Sequence, residues 1–246
     1  MKKNAQITLI IAIGVFILIM ASLILYLAYY FKIKNRAEPL VFEKISIENY
    51  INGCVKKTSE DGLVLLGRQG GLILLQDYLE TPEVGIEYSL MNNQNKVPSI
   101  EKMQDELSFY LKNNLNECLK DFDDFIKQGW DVKKEVIDAK TKINEKDVIF
   151  EVYYPIKISN DKGDILNFGK FISILNVRLK YIHNLVNTVV DFNIKNPKSV
   201  DRTALNNYNV NVTVFPYEGS LVYVVDDSNF LIMNEPYRFM FAMKFG

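Results

Sequence analysis

The segment Ile7–Phe31, ITLIIAIGVFILIMASLILYLAYYF, restricts this chain more than any other, because it runs without a single charged residue. As a helix rising 1.5 Å per residue it reaches about 37 Å, longer than the ~30 Å hydrocarbon core of a bilayer. A helix that is apolar all round must be buried on every side or sit in lipid. The sequence therefore predicts a transmembrane helix over residues 7–31, preceded by a short basic tail (1–6) and followed by a juxtamembrane linker (32–45). The apolar core is longer than the 7–15 residues of a cleaved signal, and no A-x-A-like site follows it, which favours a retained signal anchor. Tyr26, Tyr29, Tyr30 and Phe31 gather at one end of the span, as an interfacial aromatic belt does.

Charge is segregated around this helix. Residues 1–36 carry Lys2, Lys3, Lys32, Lys34 and Arg36 and no acid, leaving 24 basic against 30 acidic residues beyond, a net charge of −6. A mildly acidic domain lacks the basic footprint that a phosphate backbone demands, so nucleic acid is not an expected partner. The lipid bilayer is, because basic residues flanking an apolar helix suit anionic headgroups. Lys2 and Lys3 on one side nearly balance Lys32, Lys34 and Arg36 on the other, so flanking charge does not orient the helix.

Beyond the linker, residues 46–246 have the length of one domain with its own core. Ala37-Glu38-Pro39 reads as a helix break and Leu40–Lys44 as an extended connector. Ser46 then caps a helix carrying Ile47, Tyr50, Ile51, Cys54 and Val55 at helical spacing, ended by Gly70-Gly71. Leu72–Leu75 fits a short buried strand, Val84–Leu90 another, and Asn92–Lys96 a loop. Ser99 opens the clearest helix, with Met103, Leu107, Leu111, Leu115, Cys118, Leu119 and Phe122 on one stripe. From Trp130 the period shifts to alternation, with strands about Val148–Ile158 and Ile165–Val177 joined by a turn at 160–164. An amphipathic helix from Leu179 to Val190 ends before Pro197, and strands follow at Tyr208–Phe215, Leu221–Val225 and Tyr237–Phe245. The fold class is α+β: about three helices on a mainly antiparallel sheet, with a helical half (46–129) and a β-rich half (130–246).

Cys54 and Cys118 both fall on apolar helix stripes. If the two helices pack together the sulfurs meet, and a disulfide closing this loop stabilises by about 4 kcal/mol in the chain-entropy model. The alternative is two small buried hydrophobes. An even cysteine count on matching faces favours the disulfide and an oxidising compartment. With the sequon Asn211-Val212-Thr213, a glycosylation candidate at Asn211, it points to the N-terminus inside and the domain outside the cell membrane.

Two resemblances bear on this reading. ENYINGC (Glu48–Cys54), EDGLVLLGRQGGLI (Glu60–Ile73) and NNLNECL (Asn113–Leu119) resemble a group of single-pass membrane proteins of small-genome (DPANN-type) archaea with no assigned activity. That likeness implies an anchor, paired cysteines and an outward domain. The start of the chain, with Lys2, Lys3, Ala5, Gln6 and Thr8, resembles the class III signal of archaeal pilin-like proteins. It implies processing between Ala5 and Gln6 and assembly through the apolar helix, but Ile10 stands where that pattern places the Glu that registers neighbouring subunits.

No catalytic, cofactor-binding or metal-binding constellation emerges, and the chain is read as a non-enzyme without a cofactor. His183 is the one histidine and reads as a helix-surface residue. Asp123-Asp124 and Asp226-Asp227 lack the spacing of a calcium loop. Gly67–Gly71 lacks the phosphate-loop pattern. Tyr153, Tyr154, Tyr217, Tyr223 and Tyr237 read as cross-strand packing rather than a recognition surface. The expected role is a membrane-anchored extracytoplasmic binding or cell-envelope structural module facing an envelope or cell-surface protein, with a pilin-like subunit as the alternative.

Overall fold

The computed structural model of the chain describes the backbone of residues 3–245 and the side-chain surroundings of residues 13–31, 43–201, 203 and 205–245. The fold is α+β, as the alternation of periods predicts. Two compact units are present, Met1–Asn49 and Tyr50–Gly246, and helix α1 (Lys3–Arg68) contributes to both.

In the first unit, Ile13–Phe31 is long and apolar enough to cross a membrane, and none of that span is buried within the chain. The residues of the pilin-like start and the flanking Lys32, Lys34 and Arg36 lie outside the described side chains. The expected break at Ala37-Glu38-Pro39 and the extended connector at Leu40–Lys44 are corrected: α1 runs through both. A proline removes one backbone donor at a local cost of about 3 kcal/mol, and good helix formers on either side, including Ala37, Glu38 and Leu40, carry the helix past it.

In the second unit α1 ends where the glycines predict. Gly70 and Gly71 adopt φ of 81° and 99°, and the Gly71 N–H donates to the Leu66 carbonyl at 2.9 Å, closing a left-handed C-cap. Gly67 has a different role. A Cβ there would lie 2.4 Å from the Arg238 carbonyl oxygen, so only glycine allows the end of α1 this close to the last strand.

The expected strand at Leu72–Leu75 is instead an irregular loop, and the reason is chemical. The buried Glu106 carboxylate accepts from the Ile73 and Leu74 N–H groups at 3.1 and 2.9 Å, and the buried Glu87 carboxylate accepts from Gln76 and Asp77 at 2.9 and 3.0 Å. Donors that a neighbouring strand would satisfy are thus satisfied by side chains.

The strands β1 (Tyr78–Glu80), β2 (Gly85–Met91) and β3 (Gln94–Asn95) precede α2 (Ile100–Leu119), which Ser99 caps by accepting from the Lys102 N–H. A 3₁₀ turn at Lys120–Phe122 and the short α3 (Asp123–Lys127) lead to β4 (Trp130–Lys134), β5 (Asp138–Ile143), β6 (Val148–Asn160) and β7 (Ile165–Leu175). Then come α4 (Leu179–Lys195), α5 (Arg202–Asn206), β8 (Asn211–Tyr217), β9 (Ser220–Ile232) and β10 (Glu235–Lys244). The predicted strand at Tyr208–Phe215 thus starts and ends later, because Tyr208–Val210 are held in a turn whose Tyr208 N–H donates to the Leu205 carbonyl.

The mainly antiparallel sheet expected from the sequence is divided into two sheets. One has the order β1-β2-β10-β9-β8 with β3 on β2, and its β2–β10 pair is parallel. The other is built on β6, which pairs with β7 along its length, so β4 and β5 share the opposite edge in tandem. Buried Leu185, Val186, Val189 and Val190 form the core face of α4, which packs on the first sheet, while α2 packs on β5 of the second.

Candidate functional site

The disulfide expected between Cys54 and Cys118 is present, with a Cα–Cα distance of 5.6 Å that lies within the ordinary range. It joins α1 to the last turn of α2. The adjacent Tyr50 hydroxyl donates to the Leu119 carbonyl at 2.9 Å, and the Tyr50 ring meets Phe122 and Phe125 edge-on. This corner is a brace.

Most polar residues that the sequence offers for chemistry are absorbed by structure. His183 is half-buried, correcting its reading as a surface residue: its Nε2 donates to the Pro98 carbonyl at 2.9 Å, and burial lowers its pKa. The neighbours Asp226 and Asp227 face different arginines. Asp226 takes the Arg238 guanidinium at 2.8 and 3.3 Å near the surface. Asp227 is 0% exposed and accepts two bonds from Arg178, at 3.0 and 2.9 Å, and two from Asn229. A fully buried carboxylate needs this bidentate partner and its added donors to offset its desolvation. The Arg178 guanidinium also lies 4.5 Å over the Tyr181 ring and reaches the Asn209 carbonyl, tying the start of α4 to the segment that leads into β8. Asp123 and Asp124 occupy the exposed first turn of α3. Tyr154, Tyr223 and Tyr237 are buried in the core, as expected for cross-strand packing, whereas Tyr153 is exposed on the outer face of the second sheet. Among the described residues no three His, Cys, Asp or Glu side chains converge as a metal site would require.

One open strand edge lies at β8 of the first sheet. Beside it lies a groove of about 660 Å3, formed by Val212, Val214 and Pro216 of β8, Leu221 of β9, and Leu205 and Val200 from the preceding segment. The side chains that line it are largely apolar, with exposed backbone between them, and its size falls in the range of ligand and peptide sites. The backbone along it is unpaired on one side. β8 and β9 form a hairpin through Glu218-Gly219, both at positive φ, with Tyr217 opposite Ser220. In such a two-residue hairpin the flanking pair is hydrogen-bonded and the pattern alternates. Tyr217, Phe215, Thr213 and Asn211 therefore bond to β9, while the N–H and C=O groups of Val212 and Val214 point away from the sheet. No hydrogen bond from elsewhere among the described residues reaches them. Asn211, the sequon residue, begins this strand and is exposed.

Alternation along a strand does not distinguish an outer strand from an inner one, so this edge is not marked by period alone. The sequence signal for it is β8 itself, NVTVFPY, a strand of high β-propensity without charge and with a proline near its end. No family model, curated protein or solved structure matches the chain.

Proposed function

We propose that the protein is a single-pass membrane protein that holds its α+β domain outside the cytoplasm, where the domain acts as a non-enzymatic binding or envelope structural module. The observation that carries the reading is the span Ile13–Phe31, a long apolar helical surface with none of its length buried in the chain. Water is a poor solvent for it and lipid a good one. The outward orientation rests on the Cys54–Cys118 disulfide, which persists in oxidising compartments and is reduced in the cytosol. Asn211, exposed at the head of β8, is then accessible for glycosylation. A binding rather than catalytic role is assigned because the polar clusters are consumed in structural pairs while an apolar groove with an unpaired strand edge stays open.

The test is protease digestion of intact cells. Cleavage of the domain from outside supports the reading, and protection until the membrane is permeabilised overturns the orientation. The pilin-like alternative draws on the Ala5-Gln6 junction, and N-terminal sequencing decides it: a chain beginning at Gln6 favours it, and an intact Met1 removes it.

A further inference from the structure

We infer that the β8 edge is a self-association surface, which pairs antiparallel with the β8 edge of a second copy about a two-fold axis at Thr213. The inference deepens the binding reading above, since it rests on the β8 groove being the surface used.

Three observations carry it. The first is the hydrogen-bonding inventory. Val212 and Val214 present two N–H and two C=O groups outward, and Pro216, at the next outward position, has a carbonyl but no N–H. Another extended backbone satisfies donors and acceptors in this alternation together. With the axis at Thr213, Val212 of each copy lies opposite the partner's Val214, and all four N–H groups find carbonyls. Moving the axis to Val214 sets Val212 opposite the partner's Pro216, which returns no donor.

The second is charge. An edge strand that must stay single is commonly guarded by lysine, by proline, by an inward-pointing charge or by a bulge. β8 carries one of these, Pro216 near its end, but Asn211–Tyr217 has no charged side chain and runs in unbroken register with β9. Self-pairing about a two-fold places each residue near its own kind, so a charged strand repels itself and an uncharged one does not.

The third is the groove. Val212, Val214 and Pro216 share the face that borders it, and this face is only partly covered by Val200 and Leu205. In the two-fold arrangement the same face of the partner's strand continues it, so the partner's Val212 and Val214 extend an apolar surface instead of meeting water.

The test uses the full chain in nanodiscs. Its two natural cysteines are joined to each other, so one introduced cysteine is the only free thiol. Thr213→Cys, exposed and on the axis, is expected to give an interchain disulfide in most of the chain under mild oxidation, because directly opposed Cα atoms lie within disulfide reach. Tyr217→Cys is expected to give none, as its counterpart lies about 27 Å away along the strands. Thr213→Lys sets like charges face to face at a position that a single chain tolerates, and in detergent solution is expected to halve the protein mass measured by light scattering once the bound detergent is subtracted. Absence of the Thr213→Cys cross-link, equal cross-linking at Tyr217→Cys, or a mass unchanged by Thr213→Lys overturns the pairing. The two readings fail separately. A monomer whose domain is still cleaved from outside the cell overturns the pairing alone, and a cross-linked dimer that is protected inside overturns the orientation alone.

Discussion

One edge strand from each sheet, β5 and β8, faces the same physical problem, and the two meet it differently. At β5 the outward donors are covered by α2: the Thr141 N–H donates to Ser108 Oγ at 2.9 Å and the Ile143 N–H to Gln104 Oε1 at 2.9 Å. Further along the same helix Lys112 pairs with Asp138 at 2.6 Å, and Asn116 accepts from the Tyr154 hydroxyl at 3.0 Å. Gln104, Ser108, Lys112 and Asn116 recur every fourth residue, so they form one polar line on α2 beside its apolar stripe. β8 has no such helix, and its donors point outward unpaired. One edge is sealed by side chains and the other is left able to accept a strand.

The comparison breaks most readily through whatever holds α2 in place. Removing the brace with the double variant Cys54→Ala, Cys118→Ala is expected to lower stability by about 4 kcal/mol. The midpoint of urea unfolding, under conditions that leave the wild-type disulfide intact, measures it. The same substitution at the two edges then sharpens the contrast. Thr141→Pro removes an N–H that Ser108 uses and is expected to cost about 2 kcal/mol or more, whereas Val214→Pro removes an N–H with no partner in the isolated chain and is expected to stay within about 0.5 kcal/mol. Thermal melts of the two variants side by side decide it. Equal losses would mean that β8 is as closely covered as β5.

A third difference is in pH. Burial pushes the Glu106 carboxyl up, but its bonds to Lys102 and to the Leu74 and Ile73 N–H groups outweigh burial and hold its pKa below the ordinary value. Its contribution to stability is complete above the unfolded-state value of about 4.3 and is lost as pH falls through the lower folded value. His183, whose pKa burial lowers, begins to draw stability down earlier, as pH drops below about 6.5. Acid is therefore expected to act in two stages, first at the contact of α4 with Pro98 and then at Glu106 on α2. Glu106→Gln, costing about 2 kcal/mol at neutral pH, should flatten the stage below pH 5 in a series of urea midpoints.

Much of the fold is legible in the sequence because it depends on period and punctuation. The apolar stripe of α2 with its Ser99 cap, the glycine end of α1 and the shift to alternation at Trp130 all correspond to elements seen in the structure. The pairing of Cys54 with Cys118 was legible from matching helix faces. Features that depend on a distant partner were not. Leu72–Leu75 has the composition of a buried strand, yet Glu106 and Glu87 capture donors in the segment it opens, and nothing local announces two carboxylates arriving from elsewhere in the chain. Pro39 reads as a break because the rule is local, whereas the continuity of α1 reflects the many residues around it. The open state of β8 is a property of sheet order, and order follows from which strands find one another.

The brace between Cys54 and Cys118 has a mechanical consequence. Tension drawn along α1 from its N-terminal end reaches Cys54 and crosses directly into α2 at Cys118, bypassing the chain between them. That sequence separation of 64 residues corresponds to about 220 Å of extended polypeptide held in reserve. While the bond is intact, a pull on the helix loads α2 and leaves the Glu106 and Glu87 loop out of the load path. Reduction would remove that shortcut and place the folded segments between the two cysteines in the load path, where that length is released only as they unfold.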